Sequence, residues 1–164
     1  MRRALALTLS LGILVSIPAP ASADRPVREF LPAEDDLISG VCDFDLAVIV
    51  LENDEFLTTF VDREGNVTKQ LITGALVVEL RNETTGASFV ANIPGPGIIT
   101  FPDDSEVVEA LGPWLWIFFP GDLGPGQPGA ALLTYGRFVV EFAPDGITIL
   151  ERRGRQVDVC ALLS

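Results

Sequence analysis

Apolar and polar residues alternate with a period of two through most of the chain. Phe44, Leu46, Val48 and Val50 alternate with Asp45, Ala47, Ile49 and Leu51, which predicts a strand whose second face turns apolar toward its end. Asn53-Asp54 marks a turn, and Phe56–Val61 returns as a second strand. In the hairpin turn Arg63-Glu64-Gly65-Asn66, glycine and asparagine supply positive φ at little cost. Residues 67–81 read as one long strand bent at Gly74, with Leu76, Val78 and Leu80 on one face and Glu79 and Arg81 on the other. The turn at 82–86 (NETTG) leads into Ala87, Phe89, Ala91 and Ile93, alternating with Ser88, Val90 and Asn92. Pro94-Gly95-Pro96-Gly97 then makes a rigid corner before Ile98–Phe101.

Pro102-Asp103-Asp104 turns the chain again. Residues 105–111 suit a strand, but a short helix competes, with Asp104 as cap, Glu106 in the first turn and Gly112-Pro113 as stop. The regular spacing of strands on both sides favours the strand. WLWIFF, residues 114–119, is apolar on both faces, the mark of a buried central strand or of an exposed apolar one. Residues 120–130 (PGDLGPGQPGA) have no period. Phe138, Val140 and Phe142 then alternate with Arg137, Val139 and Glu141. After the Pro144-Asp145-Gly146 turn a last strand begins at Ile147, with Gly154 as an interruption before Val157 and Val159. Short turns at nearly every junction predict an all-β antiparallel meander of about eight strands. A closed or nearly closed barrel is favoured, with a two-sheet β-sandwich as the alternative. Residues 42–164 form the single all-β domain. Residues 24–41, acidic and interrupted by Pro26 and Pro32, are expected to be an irregular leader.

Arg2 and Arg3 precede an apolar run from Ala4 to Ile17, which Pro18 and Pro20 end, and Ala21-Ser22-Ala23 follows. This layout predicts a signal peptide over residues 1–23, cleaved before Asp24. The run is shorter than the ~20 residues of a membrane span. A secreted, extracellular protein without a span after signal removal is expected, and in an oxidising compartment Cys42 and Cys160 would pair. In an up-and-down barrel with an even number of strands, the first strand's start and the last strand's end are neighbours on one rim, within a disulfide's reach. A sandwich would need those ends to meet by another route.

Charge and composition narrow the chemistry. The net charge is −12 and there is no histidine, which excludes His-dependent triads, bases and metal sites. Two cysteines are too few for structural zinc or an iron–sulfur cluster. The negative charge argues against nucleic acid or anionic lipid as partner. P-loops, nucleophile elbows and dinucleotide fingerprints are absent, so no cofactor is expected.

The leading candidate site is a small apolar ligand pocket inside the barrel, lined by Trp114, Trp116 and Phe118 with Tyr135 as a polar handle; the competing reading makes these side chains ordinary core. The pairs Asp43/Asp45, Asp54/Glu55 and Asp103/Asp104 suit either the acid and base of a glycoside hydrolase, which needs no histidine, or solvated charges that keep strand edges apart. No EF-hand is present, leaving at most a surface calcium at Asp103-Asp104 or Asp35-Asp36. The sequons at Asn66 and Asn82 fall in turns, where asparagine is favoured anyway. The expected role is a non-enzymatic binding or structural module at the cell exterior, taking a small apolar ligand. A carboxylate-dependent extracellular glycoside hydrolase is the alternative, and a protein partner docking on an exposed WLWIFF surface is a third reading.

The ending Gly154-Arg155-Gln156-Val157-Asp158-Val159-Cys160-Ala161-Leu162-Leu163 resembles that of a family of small exported actinobacterial proteins of unknown function. Cys42-Asp43, the turn at 82–86, Asn92 to Gly97 and Tyr135-Gly136-Arg137 agree with the same pattern, so the resemblance spans most of residues 42–163. It implies a signal peptide, a single disulfide and a β-rich body, and it implies no activity. Asp104 stands where the family's pattern has a turn glycine, which weakens the expectation of a hairpin at 101–105.

Overall fold

The computed structural model describes residues 25–164, so the signal peptide expected at 1–23 lies outside the described residues. Strands β1 (Val27–Phe30), β2 (Asp36–Ile38), β3 (Leu46–Asn53), β4 (Phe56–Val61), β5 (Val67–Thr73), β6 (Leu76–Asn82), β7 (Ser88–Asn92), β8 (Gly97–Thr100), β9 (Glu106–Leu111), β10 (Trp114–Phe118), β11 (Ala130–Ala143) and β12 (Gly146–Asp158) precede a short helix α1 (Val159–Leu163). Every strand pairing is antiparallel. The all-β reading therefore holds, and residues 105–111 contribute a strand. There are twelve strands among the described residues because bent strands divide at their corners and residues 24–41 add two more.

One sheet runs β1-β4-β5-β8-β9-β11-β10, with β12 on the far side of β11; the other runs β2-β3-β6-β7. Four segments pass from one sheet to the other: β1 to β2, β3 to β4, β5 to β6 and β7 to β8. Each bends at a corner, as strands that switch sheets in packed β-layers do. Gly74, the bend expected from the sequence, has φ +130°, and a Cβ there would overlap the Asp54 carbonyl oxygen. Those two corners are locked together by the Asp54 N–H, which donates to the Ala75 carbonyl at 2.8 Å.

The closed barrel is not found. Among the described residues no ladder joins β10 or β12 to β1 or β2. Among the described residues the sheet ends instead at β10 and β12, each paired to β11 alone, with β7 left as the edge of the second sheet. What joins the halves is side-chain burial: Leu46, Val78, Leu80 and Ala91 of the second sheet pack into one core with Ala131, Leu133, Val159 and Leu163. This matches the two-sheet alternative.

A second core forms on the other face of β11, where Phe138 and Val140 meet Val108, Ala110, Trp116 and Phe118. Both cores are served by one creased region. Gly136 is the register partner of Gly154, and Gly112 donates its N–H to the Gly136 carbonyl at 2.7 Å. All three glycines have positive φ: 104° at Gly112, 125° at Gly136 and 110° at Gly154. A Cβ at Gly136 would overlap the Arg153 carbonyl, and one at Gly154 the Tyr135 carbonyl, so the row admits no side chain at its closest approach.

The disulfide joins Cys42 to Cys160 with their Cα atoms 5.3 Å apart. It forms as expected from the sequence, but it is not a barrel seam. It ties the β2–β3 connection to α1. That helix replaces the end of the expected last strand because Asp158 caps it, accepting the Ala161 N–H at 3.1 Å. Asn82, buried, clasps it from β6: its Nδ2 donates to the Leu163 carbonyl at 3.0 Å, while its Oδ1 accepts the N–H groups of Thr84 and Thr85.

Residues 24–41, expected to be irregular, supply two edge strands. The pairing of β1 with β4 is covered by Phe30 edge-on to Phe56 at 5.9 Å and by the Arg28 guanidinium 4.0 Å from that ring's centroid. The carboxylate of Asp35 accepts the Val50 N–H at 2.8 Å. Such short strands carry too few positions to show an alternation. Asp103, at φ +49°, takes the left-handed turn conformation that aspartate tolerates, and β8 and β9 pair across the turn at 101–105.

Candidate functional site

The four aromatic residues singled out in the sequence do not share one surface. Trp114, Trp116 and Phe118 alternate along β10 and point to one face of it; their register partners are Thr134, Leu132 and Ala130. Tyr135, one residue past Thr134, faces the other way, packs against the first core and lies under the Arg155 guanidinium at 4.4 Å. Trp116 is buried between Phe118, 6.2 Å away and parallel, and Phe138, 5.2 Å away and tilted. Its indole N–H donates to Thr134 Oγ1 at 3.2 Å. Trp116 and Phe118 are thus part of the second core.

Trp114 is placed differently. Its indole lies flat over the corner between β7 and β8, donating its N–H to the Gly95 carbonyl at 2.5 Å. A Cβ at Gly95 or Gly97 would overlap the ring, which is why glycine alternates with proline there. The other side of this corner is hollow. A cleft of about 190 Å³ opens where the strands change sheets, lined by Glu55, Ile72, Leu76, Ile93, Trp114 and Leu115. It lies where the β3–β4, β5–β6 and β7–β8 corners meet the start of β10.

Among the described residues Glu55 is the one ionisable residue in that lining. Its backbone is pinned: its N–H donates to Asn53 Oδ1 at 2.9 Å, and its carbonyl accepts the Leu31 N–H at 2.9 Å. Asn53 is itself held by its Nδ2 donating to the Leu31 carbonyl at 2.8 Å. Burial raises the Glu55 pKa above the ordinary carboxylate value. Among the described residues no basic side chain pairs with it; the ion pairs join Arg81 to Glu83, Arg137 to Glu109 and Glu151, and Arg153 to Glu151.

The other carboxylates considered for acid–base work lie apart from any cleft. Asp43, Asp45, Asp54, Asp103 and Asp104 are all exposed. Among the described residues no group of three or more Cys, Asp or Glu side chains is gathered to hold a metal ion. A second, polar hollow of about 420 Å³ lies between the Pro/Gly loop and the β11–β12 turn, with Asp122 and Asp145 in its wall. Asp122 is engaged there, accepting the Phe119 N–H at 2.7 Å. Of the two sequon asparagines, Asn66 is exposed, whereas Asn82 is sealed into its clasp on α1.

No family model, curated protein or solved structure matches the chain. What the cleft can do follows from its own geometry. Within its lining, residue type and alternation single out only Glu55 and Trp114; Ile72, Leu76, Ile93 and Leu115 read as ordinary strand positions. Their shared trait is that each lies at or beside a corner between sheets, which the Gly74 and Pro94–Gly97 punctuation does signal.

Proposed function

We propose that this chain is a secreted, non-enzymatic binding module that holds one small apolar molecule in the cleft where its two sheets meet. The observation that carries this reading is a hollow of about 190 Å³ walled by Ile72, Leu76, Ile93, Trp114 and Leu115. An engineered apolar cavity of about 150 Å³ is enough to hold benzene, so the space suits one ring with a short substituent. Secretion is supported by the pattern of residues 1–23 and by the disulfide, which is compatible with an extracellular protein. Among the described residues no helix is long and apolar enough to cross a membrane.

Calorimetric titration with benzyl alcohol tests the reading. One-to-one binding that is lost when Ile72→Trp fills the cleft supports it. Heat no greater than for the filled variant, from this probe and from benzylamine alike, overturns it.

A further inference from the structure

The cleft is one-sided in its hydrogen-bonding capacity. Its apolar walls offer nothing, and among the described residues the only side-chain N–H in the lining, that of Trp114, is already donated to the Gly95 carbonyl. What remains is the carboxylate of Glu55, which can only accept when ionised. A ligand carrying only acceptors would lose its hydration and find no side-chain donor, so the walls select for a donor.

Two features favour a charged donor over a hydroxyl. Glu55 has no basic partner among the described residues, and burial makes its ionised form costly, a cost that an incoming cation offsets and a neutral hydroxyl offsets only in part. The whole chain carries a net charge of −12, which concentrates cations at its surface and disfavours anions.

We infer that the cleft recognises a small organic ammonium ion with an apolar body of about one ring, its N–H groups donating to Glu55 and its body seated against Ile72, Leu76 and Ile93. This inference rests on the binding role proposed above and adds the chemical class of the ligand. Glu55 acts as the specificity-determining group and the apolar walls supply the general affinity.

Benzylamine and benzyl alcohol, matched in shape, separate the two levels when titrated into the full chain at physiological salt. Benzylamine is expected to bind one-to-one and about tenfold or more tightly than the alcohol. In Glu55→Gln the preference should collapse to within about twofold, and Ile72→Trp should abolish binding of both. If the alcohol binds as well as the amine, or Glu55→Gln leaves the amine's advantage intact, the ammonium assignment is overturned while the binding role stands. If neither probe binds, both are overturned. Because Glu55→Gln is isosteric and the side chain is only part-buried, its folding can be confirmed by an unchanged tryptophan emission spectrum; Glu55→Asp, which keeps the charge, should retain part of the preference.

Discussion

Replacing Gly154 by alanine tests whether the crease across β10, β11 and β12 is a requirement of the fold. Gly154 has φ +110°, and its Cβ would overlap the carbonyl oxygen of Tyr135 on the neighbouring strand. Gly86 is the matched control, with φ +76° and nothing within 4 Å of its Cβ. Both substitutions incur the left-handed penalty of about 1–2 kcal/mol. Only Gly154→Ala must also push a paired strand aside, which adds about 1–3 kcal/mol for an overpacked site. The expected loss is thus about 2–5 kcal/mol at Gly154, a large part of the roughly 5–15 kcal/mol that holds a domain of this kind. Urea unfolding followed by tryptophan fluorescence reads the difference directly, since Trp114 and Trp116 sit on β10 beside the crease. At about 3 °C per kcal/mol, the thermal midpoint should fall roughly 6–15 °C in Gly154→Ala and roughly 3–6 °C in Gly86→Ala. Gly136→Ala should behave like Gly154→Ala, and the double variant should lose less than the sum because one displacement of the strands serves both. Equal losses at Gly154 and Gly86 would refute the reasoning, for they would mean that the strands have room to spare at the crease.

Removing the Cys42–Cys160 bridge, which spans a sequence separation of 118, should destabilise the chain by up to about 5 kcal/mol on the chain-entropy account, read as a lower urea midpoint for the double serine variant against the oxidised parent. Asn82→Ala should lose about 1–3 kcal/mol and release α1 first, seen as faster amide exchange at residues 159–163 than elsewhere. The Arg137 guanidinium, hydrogen-bonded to Glu109, holds that carboxyl below its ordinary pKa. The stabilisation it gives is complete above the ordinary carboxylate range and is lost as pH falls through the lowered value, so the gap between parent and Glu109→Gln should close on acidification. Glu55 runs the other way: with its pKa raised, its ionisation opposes folding as pH rises from the ordinary carboxylate value through the raised one. Glu55→Gln should therefore be more stable than the parent at neutral pH and equal to it in acid.

Much of the fold was legible in the order of residues, for a local reason. Alternation over 44–51, 76–81 and 138–142, with glycine and proline between, reports which residues can share a strand face, and each such pattern became a strand. The bend at Gly74 and the corner at Pro94–Gly97 were equally local, because their backbone geometry is available to few other residues. The two cysteines could be paired because only two exist. Their route could not be read: a rim of a closed barrel and a clasp between a loop and a capped helix bring two sulfurs equally close. WLWIFF shows the same divide. Its two apolar faces announced burial, but its placement as an edge strand with a different core on either side depends on β11 being long enough to pair with both β9 and β10. Trp114, Trp116 and Phe118 looked alike in sequence, yet only Trp114 reaches the cleft, since the chain bends beside it and not beside the others. The residues by themselves determined strands, turns, corners and the sulfur pair, all set by neighbours a few positions away or, for the sulfurs, by there being no other choice. Tertiary structure alone decided that the meander stays open, and that Glu55 faces an apolar hollow at the join, because both depend on which distant surfaces exclude water together.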